Sequence, residues 1–370
     1  MFDKKIIGWG VLIFFFIRIF SFLFTPTTPL WPANFINSFF SLLILLAVGY
    51  FLIKRDVRGW YIIATEIILG GSGSYFDFFS ISLRTLLLVL SLLIFFFFKF
   101  KNKQIKEITK DKFFLTISAL IIWVGVSALI GINNNHSLNN IFADAIPYLF
   151  FLYYFPLKEI TKDKNDLLFF AKNILIVALI GNFVIIILTF LGFSSSVFVL
   201  QDHYYHWYRD VAAGKITELP FNFFRLVLNE HLLIIPILLW LLNELIAQKN
   251  KIANWFLTVP TILVLAINLT RIYFLALFLG ILLSFKKNYW INWLKYSAAF
   301  FSVLIVGFTV IHFTASRGQS LGWEIFGLRL QSITAPQIEN SSLSRMLLLP
   351  KIKEKIFSSP ILGKGLGETI

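Results

Sequence analysis

Apolar runs long enough to cross a lipid bilayer recur from one end of this chain to the other, and that repetition leaves few folds open to it. The hydrocarbon core offers no water to a backbone N–H or C=O. A segment lying there must satisfy its own hydrogen bonds, and runs of about 20 apolar residues do so as helices. Eleven spans are expected, at residues 6–24, 34–53, 59–70, 81–98, 113–130, 139–157, 167–192, 225–246, 252–268, 272–285 and 291–313. The third and tenth are short for a crossing, and the third suits a tilted, broken or re-entrant segment. The fold class that follows is all-α, a polytopic transmembrane helical bundle. Composition agrees: 58% of the 370 residues are hydrophobic and 44 are Phe, more apolar surface than a soluble domain of this size can bury. The first run follows a basic start, as a signal peptide would. It is too long and lacks a small-x-small cleavage site, so it reads as a retained helix.

Charge placement orients these spans. The chain carries 33 Lys and Arg against 19 Asp and Glu, a net +14. With the N-terminus in the cytoplasm, the cytoplasmic segments are Lys4–Lys5 and the stretches 54–58, 99–112, 158–166, 248–251 and 286–287. Together they hold 18 Lys and Arg, whereas the opposite segments 25–34, 70–80 and 131–140 hold none. This positive-inside pattern accounts for the charge without a nucleic-acid partner. Two longer segments then lie outside, 193–224 and 314–370. The expected division is a helical bundle over 1–313, with loop 193–224 inserted, followed by an outer-face segment over 314–370. There is no Cys, which excludes disulfides, thiolate catalysis and Cys-based zinc sites.

One arginine interrupts an apolar run, in LAINLTRIYFLALFLG (265–280). Mid-membrane, Arg271 would cost about 2.5–3.5 kcal/mol. As one helix, however, residues 252–285 would be about 51 Å long, against a core of about 30 Å. Two helices of about 17 and 14 residues fit better, with a turn at Asn268–Leu269–Thr270–Arg271. The basic segments on both sides require the same out-and-back path. Arg271 is thereby placed at the outer face, where it suits either an anionic ligand such as a diphosphate or a snorkelling contact with headgroups.

Other candidates lie near it. Arg225 opens the eighth span, and Glu230 and His231 follow one or two turns into that helix. They suit a polar pocket or a structural Arg–Glu pair. Asp202, His203 and His206 have ligand types but sit in an aromatic-rich loop, QDHYYHWYRD, of ordinary surface character. No Asp-x-Asp pair in either long outer segment supports a metal-bridged sugar nucleotide, and no metal is expected. GKGLG (363–367) is neither a dinucleotide fingerprint nor a P-loop. The stretch around it is basic through Arg345, Lys351, Lys353 and Lys355, which suits a charged lipid or an amphipathic helix resting on membrane lipids.

Three stretches together resemble the O-antigen ligase and polymerase superfamily of bacterial membrane glycosyltransferases. NLTRIYFLALFLG is similar to that family's T-x-S-R-type turn between helices. SRMLLLPKIKEKIFSSPILGKGLG is similar to its R…P-x-x-G-x-G-x-G signature. ELPFNFFRLVLNEHLLIIPILLWLL is similar to the loop and helix before the arginine hairpin, and ISLRTLLLVLSLL shares the family's look. The resemblance implies a GT-C-like bundle in the cytoplasmic (inner) membrane, with no metal and no cofactor. It implies a donor glycan on a polyprenyl diphosphate and a lipid or glycan acceptor, as in lipopolysaccharide and other cell-envelope polysaccharide synthesis. Arg271, Arg225 and Arg345 would hold the diphosphate. Glu230 and His231, with Glu368 as a further substitute, would be the candidates for the catalytic base. In the family, further spans usually follow the glycine motif; here three residues follow Gly367, so a longer parent chain is expected. The alternatives are a polysaccharide polymerase of the same superfamily, a lipid-linked glycan flippase, and a non-catalytic assembly subunit.

Overall fold

A computed structural model describes residues 3–24, 34–71, 73–79, 81–163, 165–195, 201–249, 251–334, 340–360 and 363–368. Helix α1 (Lys4–Phe24) begins where the Asp3 carboxylate accepts the amides of Lys5 and Ile6, at 2.8 and 3.3 Å. Then come α2 (Asn34–Ile53), α3 (Arg58–Leu69), a short hairpin of β1 (Asp77–Phe78) and β2 (Ile81–Ser82), α4 (Leu83–Lys101), α5 (Ile105–Thr109) and α6 (Phe114–Asn133). The next apolar stretch is broken. Pro147 and Pro156 each lack an amide to donate, and they flank a tight 3-10 segment between α7 (Leu138–Leu149) and α8 (Tyr154–Asp163). Helices α9 (Asn165–Ser194) and α10 (Gln201–His206) lead through a π-turn, Trp207–Val211, into a second hairpin, β3 (Lys215–Leu219) and β4 (Phe223–Val227). A 3-10 turn, Asn229–Leu233, enters α11 (Ile234–Ile246). Helices α12 (Lys251–Asn268), α13 (Arg271–Leu283), α14 (Trp290–Ala315), α15 (Trp323–Thr334) and α16 (Asn340–Ser358) complete the chain.

Eight helical stretches among the described residues are long and apolar enough to cross a membrane, and the protein is a multi-pass membrane protein. The other three expected spans are α3 with 12 residues, the broken α7–α8 stretch, and α13 with 13 residues. Helix α1 illustrates the lipid-facing pattern. Phe14, Ile17 and Phe20 are buried, while Trp9, Phe16 and Ile19 on the other side are 69%, 53% and 59% exposed and equally apolar. In water such a face would be a liability; in lipid it is the natural surface.

The eighth expected span is corrected at its start. Residues 225–228 are not helical; Arg225 lies on β4, paired with Thr217 across the hairpin. The turn is made by Phe221 and Asn222, both left-handed at φ 63° and 57°. Aromatic and β-branched residues in FNFFRLV favour the pleated strand that follows. The expected break in 252–285 lies at Leu269–Thr270, between helices of 18 and 13 residues.

The chain divides into two compact units. One comprises residues 1–47, 58–84 and 166–327; the other comprises 48–57, 85–165 and 328–370. Helix α16 and the segment 363–368 group with residues 85–163 in the second of these units. In the first unit, α11 is the central helix, and Leu238, Leu241, Leu242 and Leu245 are fully buried. Its Ile237 and Leu241 pack with Ile176 and Leu179 of α9 and Leu257 of α12. Helices α1 and α9 approach closely through glycines: a Cβ on Gly181 would lie 2.3 Å from the Phe14 ring, and one on Gly10 would lie 2.6 Å from Val177.

In the second unit, Lys99 bridges Glu107 and Glu159 at 2.9 and 3.1 Å. Asp111 accepts Tyr154 Oη and Lys158, whose ammonium holds its carboxyl below the usual carboxylate range. The glycine-rich segment docks on the end of α6 and the turn into α7. Leu366 N donates to Ser127 O at 3.0 Å, Asn134 donates to Lys364 O at 2.9 Å, and Gly367 N donates to the Asp144 carboxylate at 2.8 Å. His136 gives Nδ1 to Leu366 O at 2.8 Å and Nε2 to Glu368 at 2.6 Å; Lys355 also binds Glu368. Gly365 sits at φ 85°, and a Cβ there would fall 2.2 Å from Gly131 N. The motif is thus a backbone-to-backbone dock that side chains would block.

Gly365→Ala is expected to cost about 1–3 kcal/mol, from the clash and the left-handed backbone. Gly125→Ala, on a stretch of α6 where a Cβ meets nothing within 4 Å, serves as the control and should be neutral or stabilising. Thermal unfolding of the two variants in one detergent checks both.

Candidate functional site

The first unit gathers its polar groups around the turn between α12 and α13. Leu269 takes a left-handed backbone, φ 47°, and Thr270 stays extended as the N-cap residue of α13. The Asn268 carboxamide oxygen accepts the Thr270 amide at 3.1 Å and closes the turn from within. Arg225 reaches it from β4: Nε donates to Asn268 O at 2.8 Å, and Nη2 donates to Thr270 Oγ1 at 3.0 Å. A guanidinium on the last carbonyl of α12 is favoured by the helix dipole as well as by the hydrogen bond. Arg271, half-buried, is the first residue of α13 and the chain neighbour of Thr270. Both arginines therefore belong to one turn.

Directly behind them lies His231. Its Nδ1 accepts the Leu228 amide at 3.3 Å and the Asn268 carboxamide N–H. With both donors on Nδ1, the ring proton resides on Nε2, which has no partner among the described residues. The imidazole is fully buried. Its acceptor nitrogen is already used, so His231 is set as a donor rather than as a base.

Glu230, also buried, is held from the opposite side. Arg18, in the middle of α1, donates Nη2 to Glu230 Oε1 at 2.7 Å, and the two side chains are 4% and 2% exposed. Arg18 Nη1 reaches Leu69 O at 3.3 Å, and its guanidinium lies 3.4 Å from the centroid of the Phe14 ring. Tyr75 Oη donates to the same Glu230 oxygen at 3.3 Å. The Tyr75 ring stacks on Trp207 at 6.3 Å, and Trp207 Nε1 donates to Ser21 one turn beyond Arg18. Burial pushes the Tyr75 phenol up, raises Tyr208 well above the ordinary value and takes Tyr204 to about 12, so all three remain neutral hydroxyls. Tyr204 shares a hydrogen bond with Thr189 at 2.6 Å. Glu230 Oε2 has no partner among the described residues.

The sequence reading missed Arg18, although its signal was of the same kind as that of Arg271: one cation inside an apolar run, FFFIRIFSF. Helix length there offers no turn to move the charge to the surface, so a buried partner was required. Arg84, in ISLRTLLL, is likewise paired, with Nε 3.1 Å from Glu66 Oε2 and Nη2 donating to Glu66 O at 3.1 Å. Arg345 lies on α16, in the second unit, and its side chain falls outside those described. Glu368 also belongs to that unit, bound by His136 and Lys355. In the Asp202–His206 stretch, His206 faces Asp202 and Asp210, each at 3.6 Å. No group of three or more His, Asp or Glu among the described residues is placed to hold a metal. Compared with known proteins, the chain matches no family model, no curated protein and no solved structure.

Removing one partner of the buried pair strands the other charge. Arg18→Leu is therefore expected to cost about 3–5 kcal/mol, and the Arg18→Leu/Glu230→Leu double variant to recover most of it. Denaturant unfolding of the two single variants and the double variant checks this, and additive losses would mean the pair is not coupled.

Proposed function

We propose that this protein transfers a glycan from a polyprenyl-diphosphate donor to a lipid or glycan acceptor. The reaction takes place on the outer face of the bacterial cytoplasmic membrane, within a GT-C-like bundle whose N-terminus is cytoplasmic. The observation that carries this reading is the turn at 268–271. Two arginines share it, Arg225 bonded to it and Arg271 beginning the helix after it. In such a transfer the acceptor hydroxyl forms a bond to the anomeric carbon as the bond from that carbon to the diphosphate breaks. Negative charge builds on the departing diphosphate, and paired guanidinium donors stabilise it most where water is excluded. The acceptor's proton needs a receiver. Of Glu230 and His231, Glu230 keeps an unpartnered acceptor atom, Oε2, and is the proposed base, taking the proton by way of an intervening water because its side chain is buried. Ligase and polymerase differ in the acceptor, and the donor turn serves either.

The alternative is a lipid-linked glycan transporter. What favours it is the Arg18–Glu230 pair, a buried charge couple of the sort that lines transport paths.

Arg271→Ala is expected to lower transfer at least about 100-fold in nanodiscs with a polyprenyl-diphosphate glycan, leaving insertion and unfolding midpoint intact. Full activity of that variant would remove Arg271 from the site. Wild-type protein that moves the donor across vesicles without transferring it would favour the transporter. Because the chain has no native cysteine, single-Cys variants test the orientation. Asn135→Cys, Asp210→Cys and Asn340→Cys should label from outside, whereas labelling of Ile105→Cys from that side would reverse the topology.

A further inference from the structure

Behind Glu230, in the first unit, lies a cavity of ≈10 Å³ lined by Ala178, Asn182, Glu230, Leu233, Ile234 and Thr261. Two of these residues bring polar atoms without a partner among the described residues, Glu230 Oε2 and Asn182 Oδ1. Each residue is only 5% exposed. Thr261 is already committed: its hydroxyl donates to Leu257 O at 2.7 Å. The two remaining atoms share a chemical property. A carboxylate oxygen and a carboxamide oxygen are both acceptors, so they cannot satisfy one another.

Left so, each would carry the desolvation penalty of a buried polar group that lacks a hydrogen bond. The occupant must therefore donate twice or be a cation. Volume admits only something the size of one water. A monovalent cation of that size is disfavoured by charge. Arg18 already neutralises Glu230 at 2.7 Å, so a second positive charge would leave the buried cluster net cationic in a low-dielectric bundle. Helix carbonyls nearby are consumed by their own ladders and offer a cation little further coordination. Water is neutral, has two protons, and meets both acceptors.

We infer that this cavity is a binding site for a single structural water, which donates one hydrogen to Glu230 Oε2 and the other to Asn182 Oδ1. The site ties α9 to the Asn229–Leu233 turn. Through Glu230 the bridge reaches Arg18 and α1; through the adjacent His231 it reaches Asn268 and the arginine turn. The carboxylate oxygen has a second lone-pair position, so the water does not exhaust it. The inference rests on burial, volume and hydrogen-bond chemistry, and stands or falls independently of the glycosyltransferase reading.

The test is a structure of the full chain in a lipidic mesophase, at a resolution that shows ordered water, from crystals equilibrated with Rb+. A peak about 2.6–3.2 Å from both oxygens, with no anomalous signal, is the expected result. An anomalous Rb+ peak would overturn the water and make this a cation site. A direct Glu230–Asn182 contact with no peak would overturn it as well. Asn182→Leu adds a solution measurement: displacing the water leaves Glu230 Oε2 unsatisfied, and the unfolding midpoint should fall by about 2–6 °C. An unchanged or higher midpoint would mean that no bridging water was lost.

Discussion

A carboxylate cannot be carried into the interior of a membrane bundle without a counter-charge, and in the first unit this requirement organises much else. Glu230 is met by Arg18, 212 positions earlier in the chain. For that meeting, α1 must lie close against α9, and the glycines at 10 and 181 provide the approach, each facing a side chain of the other helix. Tyr75 must reach the same carboxylate, which fixes the segment after α3; Trp207 stacks on Tyr75 and binds Ser21, which fixes the π-turn after α10. One ion pair thus draws together the first helix, two loops and the entry to α11. Such a pair contributes little net stability against an apolar replacement, but it penalises every arrangement that separates its members.

The position of the arginine turn depends on the same point. Glu230 and His231 are consecutive, so fixing the carboxylate fixes the imidazole one residue on. His231 then receives Asn268, whose own side chain closes the turn, and Arg225 caps the carbonyl of that same Asn268. Each of these links is a hydrogen bond made by the fully buried Asn268. The chain of contacts runs from a pair deep in the bundle to two arginines at the end of a helical hairpin.

Much of this was legible in the sequence, unevenly. The turn at 268–271 follows from arithmetic alone, because a mostly apolar stretch of 34 residues overruns a bilayer as one helix. Its location beside Asn and Thr needed only the capping habits of those residues. The hairpin of β3 and β4 was not legible, because FNFFRLVLNEHLL is apolar at both strand and helix spacing. The left-handed Phe221 and Asn222 at its turn reveal themselves only in three dimensions. The partner of Arg18 was unreadable for a different reason. An isolated charge announces that a partner exists, but not which residue it is when the contact spans 212 positions. The glycine motif was half legible: spacing of Gly363, Gly365 and Gly367 signalled unusual backbone, but not that Ser127, Gly131 and His136 would receive it.

Four arginines of the first unit stand in two different settings. Arg18 and Arg84 each meet a buried carboxylate, Glu230 and Glu66, and their charge is spent within the fold. Arg225 donates to the Asn268 carbonyl and the Thr270 hydroxyl at the turn. A carbonyl and a hydroxyl carry no net charge, so bonds to them do not by themselves offset a guanidinium's field. Arg271 adds a second guanidinium at the same helix N-terminus, where the dipole of α13 contributes in the same sense. Cationic side chains and helix dipole converge on that turn, whereas at Arg18 and Arg84 the carboxylates have already taken up the charge. That convergence is the physical reason to look for an anionic ligand at 268–271, and the buried carboxylates are the reason to look for structure at the other two.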